Sequence, residues 1–291
     1  MNREDFSFTS DDGLEIACFR WQATAPSVGV LQIAHGMGEH SLRYEHVAEF
    51  LNAAGFHVYA NDHRGHGRTA PDKESLGELG AGGWNALVED MFALSNIIRT
   101  RDTGFPLILL GHSMGSFAAQ HYLLDHSDLL AGAALSGSAA VDKLAIDPTR
   151  PADLSSVNEG IAAPRTPFDW LSHDPAVVDA YIADPLCGFG VSAASMMSMA
   201  GSAPRLLDPN ELKRIRANLP IYIFAGDEDP INHKLEWLKP VAERYRAAGL
   251  RHVTEKYYPG GRHEMMNETN REQVLKDLLD WMRHAVHTRH L

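Results

Sequence analysis

Pro106-Leu107-Ile108-Leu109-Leu110-Gly111-His112-Ser113-Met114-Gly115 joins an unbroken apolar run to the pattern G-x-S-x-G. The run reads as a buried strand, and residues 117–124 after it read as a helix. A strand ending this way can turn sharply into the following helix with Ser113 at the turn. The flanking glycines permit the tight backbone and the close approach of neighbouring elements. The serine oxygen is then held out at the sheet edge. The pattern alone is short, and its weight comes from the strand before it and the helix after it.

Working outward, residues 6–8 and 14–20 alternate in polarity around Asp11-Asp12-Gly13 and read as a β-hairpin. Apolar runs at 28–34, 56–60, 130–136, 219–225 and 253–258 read as further strands. Helical spacing appears over 44–54, 84–99, 235–248 and 271–286. In the last of these, Val274, Leu278, Trp281, Met282 and Ala285 face inward. Alternating strands and amphipathic helices predict an α/β fold, with a mostly parallel central sheet covered by helices on both faces. Residues 141–212 break the rhythm. They are rich in Pro, Asp, Ser and Ala, with a helical piece at 175–182 and the run Met196-Met197-Ser198-Met199. A structureless loop of that length does not suit a compact domain. The expectation is a helical cap, 141–212, inserted into a core of 1–140 and 213–291.

Composition excludes several roles. The 291 residues are 44% hydrophobic and 22% charged, an ordinary globular balance. A net charge of -12 counts against binding a phosphate backbone or adhering to anionic lipid. No nucleic-acid partner is expected. The first ten residues are polar with no apolar signal-like run, so no secretory signal is expected, and no stretch approaches the ~18 consecutive apolar residues of a membrane span. Cys18 and Cys187 are far apart and lack metal-ligand spacing. They read as buried thiols in a reducing compartment, so a cytoplasmic location is expected. His284, His287 and His290 cluster without ligand-like partners, and no metal or other cofactor is expected.

A serine hydroxyl is a weak nucleophile and needs a base. Two later strand ends can supply the base and its orienting acid. One is followed by Gly226-Asp227-Glu228-Asp229-Pro230, the other by Pro259-Gly260-Gly261-Arg262-His263-Glu264. His263 is the expected base. Asp227, Glu228 and Asp229 compete as the acid. Asp229 is the choice because the acid must reach past the strand end, and Asp227 suits a turn. An oxyanion needs two aimed N–H donors. Met114 supplies one, and Met37, in the turn after 28–34, supplies the other. His112 is expected to pack away from the site. Glu39, His40 and Arg43 read as loop scaffolding, and Asp62 and Arg64 as a structural ion pair or backbone clamp. Met196, Met197 and Met199 either line an acyl channel or pack the cap's own core.

Four ordered motifs carry a family resemblance. They are His35-Gly36-Met37-Gly38-Glu39-His40, Asp62-His63-Arg64-Gly65-His66-Gly67, Gly111-His112-Ser113-Met114-Gly115 and Gly261-Arg262-His263-Glu264. Together they resemble the monoacylglycerol lipase and lysophospholipase branch of the α/β-hydrolase superfamily, which overlaps the group labelled serine aminopeptidase S33. The similarity runs from about residue 6 to about residue 282, the cap included. It implies a Ser113–His263–Asp229 triad, an oxyanion hole at Met37 and Met114, and a monoacylglycerol or lysophospholipid-like substrate. Ser116 stands where the family often has glycine, and Thr69 where serine is common. The reading is a serine ester hydrolase that works through an acyl-enzyme on a small-molecule or lipid ester, with transient lipid-surface contact through the cap. A proline-type aminopeptidase would need an acidic pocket, for which Asp147, Asp153, Glu159, Asp169 and Asp174 are candidates. A non-catalytic binding protein on the same scaffold would usually lack a triad member.

Overall fold

The computed structural model describes residues 2–144, 147–158 and 160–288, so Glu159 and His290 lie outside it. Strands β1 (Arg3–Thr9) and β2 (Glu15–Trp21) form the expected antiparallel hairpin. β3 (Gly29–Ala34), β4 (Phe56–Asn61), β5 (Leu107–His112), β6 (Gly132–Ser136), β7 (Ile221–Gly226) and β8 (Val253–Tyr258) follow. The eight-stranded sheet has the order β1-β2-β4-β3-β5-β6-β7-β8. Only the β1–β2 and β2–β4 pairings are antiparallel.

The sheet separates two apolar layers, and strand alternation assigns side chains to them. Leu107 and Leu109 of β5 join one layer with Trp84, Leu87 and Met91 of α2 (Gly83–Arg101), Tyr122 of α3 (Met114–His126) and Tyr245 of α7 (Lys239–Ala247). Ile108 and Leu110 join the other, with Val47 and Leu51 of α1 (Glu45–Ala53) and the inward face of α8 (Arg271–Thr288). The central strands are buried on both faces, which is why they read as continuous apolar runs rather than alternating ones.

Among the described residues between β6 and β7 lie three short helices, α4 (Pro175–Ala183), α5 (Ala193–Ser202) and α6 (Pro209–Leu212), with 3-10 turns around them. One helix begins later than its periodicity suggests. The spacing predicts helix from 235, but α7 starts at Lys239. His233, Lys234 and Leu235 have φ of 51°, 55° and 73°, a left-handed conformation that a right-handed helix cannot contain. Pro240 then sits in the first helical turn, where its missing N–H costs nothing.

Because β3 and β5 to β8 run parallel, their carboxyl ends share one sheet edge. The turns carrying Met37, Ser113, Asp229 and His263 all leave from that edge. A ligand crevice is expected there in any open parallel sheet.

Candidate active site

Ser113 occupies the bend between β5 and α3 with φ 52° and ψ -123°. Few non-glycine residues adopt such a conformation, and holding one there costs about 1–3 kcal/mol. The surroundings over-determine it. The Ser113 N–H donates to the Ser136 carbonyl at 2.9 Å, and its carbonyl accepts from the Ser116 N–H at 2.8 Å. A Cβ on Gly111 would collide with the Gly115 carbonyl, and one on Gly115 with the Ala34 carbonyl, so both must be glycine. Ser116, one of the two departures from the family pattern, is itself a brace. Its hydroxyl bridges the Ser113 carbonyl at 2.6 Å and Ser138 Oγ at 2.8 Å. Thr69, the other departure, donates to the Asp62 carbonyl and accepts from the Ala17 N–H.

Asp229 is fully buried and follows β7. Its Oδ2 accepts from His263 Nδ1 at 2.9 Å and from Asn232 Nδ2 at 3.0 Å, and its Oδ1 accepts from the Ile231 N–H at 2.8 Å. Asp227 lies elsewhere. It accepts from the Gly260 N–H at 2.7 Å and so pins the turn after β8. The hydrogen bond to Asp229 puts the proton on His263 Nδ1. Nε2 is then an acceptor, buried and without a partner among the described residues. Burial pushes the imidazole toward neutrality, but the Asp229 charge and hydrogen bond prevail and raise its pKa above 6.5. Ser113 and His263 line the same cavity.

The Met114 N–H opens α3, at the positive end of the helix. Met37 lies in the turn after β3. Among the described residues neither amide has an acceptor. The Met37 turn is held by a buried charge network. The Glu39 carboxylate accepts from the Gly36 N–H at 2.6 Å and from Tyr44 Oη at 2.7 Å. Arg43 bridges Glu39 at 2.6 Å and Glu264, beside His263, at 2.6 and 2.8 Å. Burial alone would raise both carboxyl pKa values, but the Arg43 charge overrides it: Glu39 falls to about 2 and Glu264 also falls. Scaffolding is thus the role the structure assigns to Glu39 and Arg43. Asp62 clamps the Ser41 and Arg68 N–H groups, each at 2.8 Å, while Arg64 pairs with Asp90 and Asp12.

Three buried imidazoles lie beneath this loop. The His35 ring is 4.3 Å from that of His63 and 5.3 Å from that of His66. His35 Nδ1 donates to the Gly36 carbonyl, leaving Nε2 to accept from the His63 N–H at 2.9 Å. Burial depresses His35 to about 4, His66 to about 3, and His63 well below 6.5. In the unfolded chain all three bind protons near 6.5. Below that pH the unfolded state binds more protons, so stability falls as pH falls toward 4. His35 alone accounts for roughly 3 kcal/mol of this loss. Glu39, depressed to about 2, adds its own loss between 4.5 and 2. The melting temperature is therefore expected to drop continuously from pH 6.5 to 4. A flat profile in thermal melts over that range would contradict the buried neutral cluster.

A cavity of about 660 Å³ opens on Ser113. Phe117, Leu144, Met196, Met199, Ile231 and Trp237 form an apolar wall, and Trp170 and Tyr181 also line the cavity. Two expectations need correction. Met196 and Met199 reach the cavity, but Met197 is 57% exposed and does not. In a helix, positions i and i+3 share a face and i+1 turns away. His112 does not pack away from the site. Its ring lies 4.9 Å from that of His263 and lines the cavity, because the elbow leaves it between β6 and the His263 turn.

Trp170 had no distinguishing signal in the sequence. Its ring lies 5.0 Å from the His263 ring, and its carbonyl accepts from the His263 N–H at 3.3 Å. Of the described cap acids named above, Asp147 and Asp153 line the cavity and Asp169 and Asp174 do not; Glu39 and Glu264 of the core also line it. Asp147 and Asp153 are both exposed and accept from their neighbours Thr149 and Ser155. Asp169 accepts from the Arg165 N–H and Thr166 Oγ1, and Asp174 caps α4. His40, Asp184 and Cys187 bring donor atoms within 4.8 Å of one another, a spacing that could hold a metal ion. His40 Nε2 already donates to Asp184 at 2.9 Å, and burial pushes the Cys187 thiol up, away from the thiolate a metal needs.

Comparison with known proteins agrees with this geometry. Residues 25–270 match the family model described as serine aminopeptidase, S33. The chain is 31% identical over 290 residues to a monoacylglycerol lipase of Mycolicibacterium smegmatis, covering 96% of this chain and 97% of that one. It is 25% identical to the monoglyceride lipase of Rattus norvegicus, covering 94% and 89%. Among solved structures, a thermostable carboxyl esterase from Bacillus coagulans superposes with a TM-score of 0.87 at 30% identity, covering 98% and 99%. The eight-stranded, mostly parallel sheet is that of the α/β-hydrolases.

Proposed function

Since the chain belongs to the serine aminopeptidase S33 family, in the monoacylglycerol lipase-like branch of the α/β-hydrolases, and is a carboxylic ester hydrolase, we propose that Ser113, His263 and Asp229 form its catalytic triad. Ser113 Oγ attacks the ester carbonyl while His263 Nε2 takes its proton. The Met37 and Met114 N–H groups receive the oxyanion. His263 returns the proton to the leaving alcohol, and water clears the acyl-enzyme by the same route. Asp229 holds the imidazole in the Nδ1–H tautomer and stabilises the imidazolium.

The observation that carries this reading is the unpartnered, acceptor-ready Nε2 of a histidine held by a buried carboxylate, in a cavity that it lines together with a serine on a left-handed bend. An active-site phosphonate tests it. It should label Ser113 stoichiometrically and abolish turnover of p-nitrophenyl esters. Failure to label would sink the reading.

We infer that the substrate is a monoacylglycerol or similar single-chain ester and that residues 141–212 act as a cap. The cavity size is that of small-molecule sites. Its apolar wall suits an acyl chain, and the cap supplies Met196 and Met199. Among the described residues no helix is long and apolar enough to cross a membrane. Met199→Trp should fill the wall and cut kcat/KM for palmitoyl esters by roughly tenfold or more, with a much smaller loss for acetate. A chain-length series of nitrophenyl esters measures this. An unchanged preference would mean Met199 does not meet the chain.

A further inference from the structure

Asn232 is fully buried three residues past Asp229 and does two things at once. Its Nδ2 donates to Asp229 Oδ2 at 3.0 Å, on the same oxygen that accepts from His263. Its Oδ1 accepts from the Leu235 N–H at 2.7 Å. The amide cannot be reversed. A flip would aim NH₂ at the backbone N–H and an oxygen at the carboxylate, losing both bonds.

The segment that Asn232 ties down is strained. His233, Lys234 and Leu235 are three consecutive left-handed non-glycine residues. Asn232 holds the triplet from inside through the Leu235 N–H, and its carbonyl accepts from the Trp237 N–H at 2.9 Å. The turn returns to the cavity, which Ile231, His233 and Trp237 line. A side chain that served only to close the turn would not need its donor on the carboxylate. A hydrogen-bond donor without a titrating proton is suited to fixing the direction of Oδ2 while leaving the charge of the Asp229–His263 pair unchanged.

We propose that Asn232 is a positioning residue for catalysis: it aims Asp229 Oδ2 at His263 Nδ1 and locks that aim to the strained wall of the cavity. The proposal rests on the triad reading above. It acts through Asp229 and requires no contact between Asn232 and substrate.

The test compares Asn232→Leu and Asn232→Asp with wild type, using kcat per phosphonate-titrated site, KM and the pH profile of kcat/KM. Asp229, Glu264, Glu39 and His112 also act on His263, and neither variant replaces any of them. Asn232→Leu should lower kcat per site by about ten- to hundredfold with little change in KM, since a slightly misaimed group costs that much. The acid limb should move to lower pH, because the raised pKa of His263 depends on an aligned Asp229. Asn232→Asp keeps the acceptor for the Leu235 N–H and so keeps the turn. It should lose activity above the pH at which the introduced carboxyl ionises against Asp229 and regain it below. It decides the matter should Asn232→Leu not fold. A lowered melting temperature with normal kcat per site and an unmoved acid limb would reduce Asn232 to a purely structural role and overturn the proposal. Asp229→Asn serves as the control. If it is inactive while both Asn232 variants are unimpaired, only the positioning role falls. If it too is fully active, the triad reading falls with it.

Discussion

Ser113→Ala is expected to lower ester turnover per folded molecule by roughly 10⁴- to 10⁶-fold, the loss typical of removing a serine nucleophile. The Ser113 hydroxyl enters no hydrogen bond among the described residues, so its removal leaves no orphaned partner. The backbone bonds that hold the bend, from Ser113 N–H to Ser136 and from Ser116 to the Ser113 carbonyl, do not involve the side chain that is cut. Alanine meets the same left-handed strain that serine does. The melting temperature should therefore stay close to wild type while turnover vanishes, a separation that distinguishes lost chemistry from lost fold. Turnover of a nitrophenyl butyrate within tenfold of wild type would end the assignment of Ser113 as nucleophile.

The second large effect is expected at Asp229, and its neighbour provides the contrast. Asp229→Asn should lower kcat by about 10⁴-fold. The carboxylate receives donors on both oxygens: Ile231 N–H on one, and Asn232 Nδ2 with His263 Nδ1 on the other. A carboxamide has only one acceptor oxygen. If that oxygen faces Ile231, the NH₂ meets two donors and drives His263 to the wrong tautomer, with its proton on Nε2. If it faces His263, the NH₂ collides with the Ile231 N–H. Asp227→Asn should change kcat by no more than a few fold, because an amide oxygen still accepts from Gly260. Steady-state rates for the pair of variants decide it. A greater loss at 227 than at 229 would exchange their roles.

Much of the architecture is legible in the chain because it rests on local patterns. Continuous apolar runs mark strands buried on both faces, and a 3.6-residue period marks helices that bury one. The late start of α7 was not legible. The apolar spacing from 235 continues through residues whose backbone is left-handed, held there by tertiary hydrogen bonds that include those of Asn232 and that of the Lys234 N–H to the Asp229 carbonyl. Sequence singled out Met196 to Met199 as a run, but helical geometry splits the run between cavity and solvent. Trp170 carried no signal, because its position over His263 depends on a chain crossing of 93 residues.

By itself, then, the sequence determined the α/β alternation, the elbow at 113, and a short set of titratable candidates at two strand ends. These follow from short-range sterics and periodicity. Tertiary structure alone decided which acid among three faces the imidazole, that His112 lies against it, and that Arg43 bridges Glu39 to Glu264. The physical reason is one of range. A hydrogen bond is made or lost within a few tenths of an ångström, and groups as far as 221 residues apart reach that tolerance only when the packed sheet holds their turns along one edge.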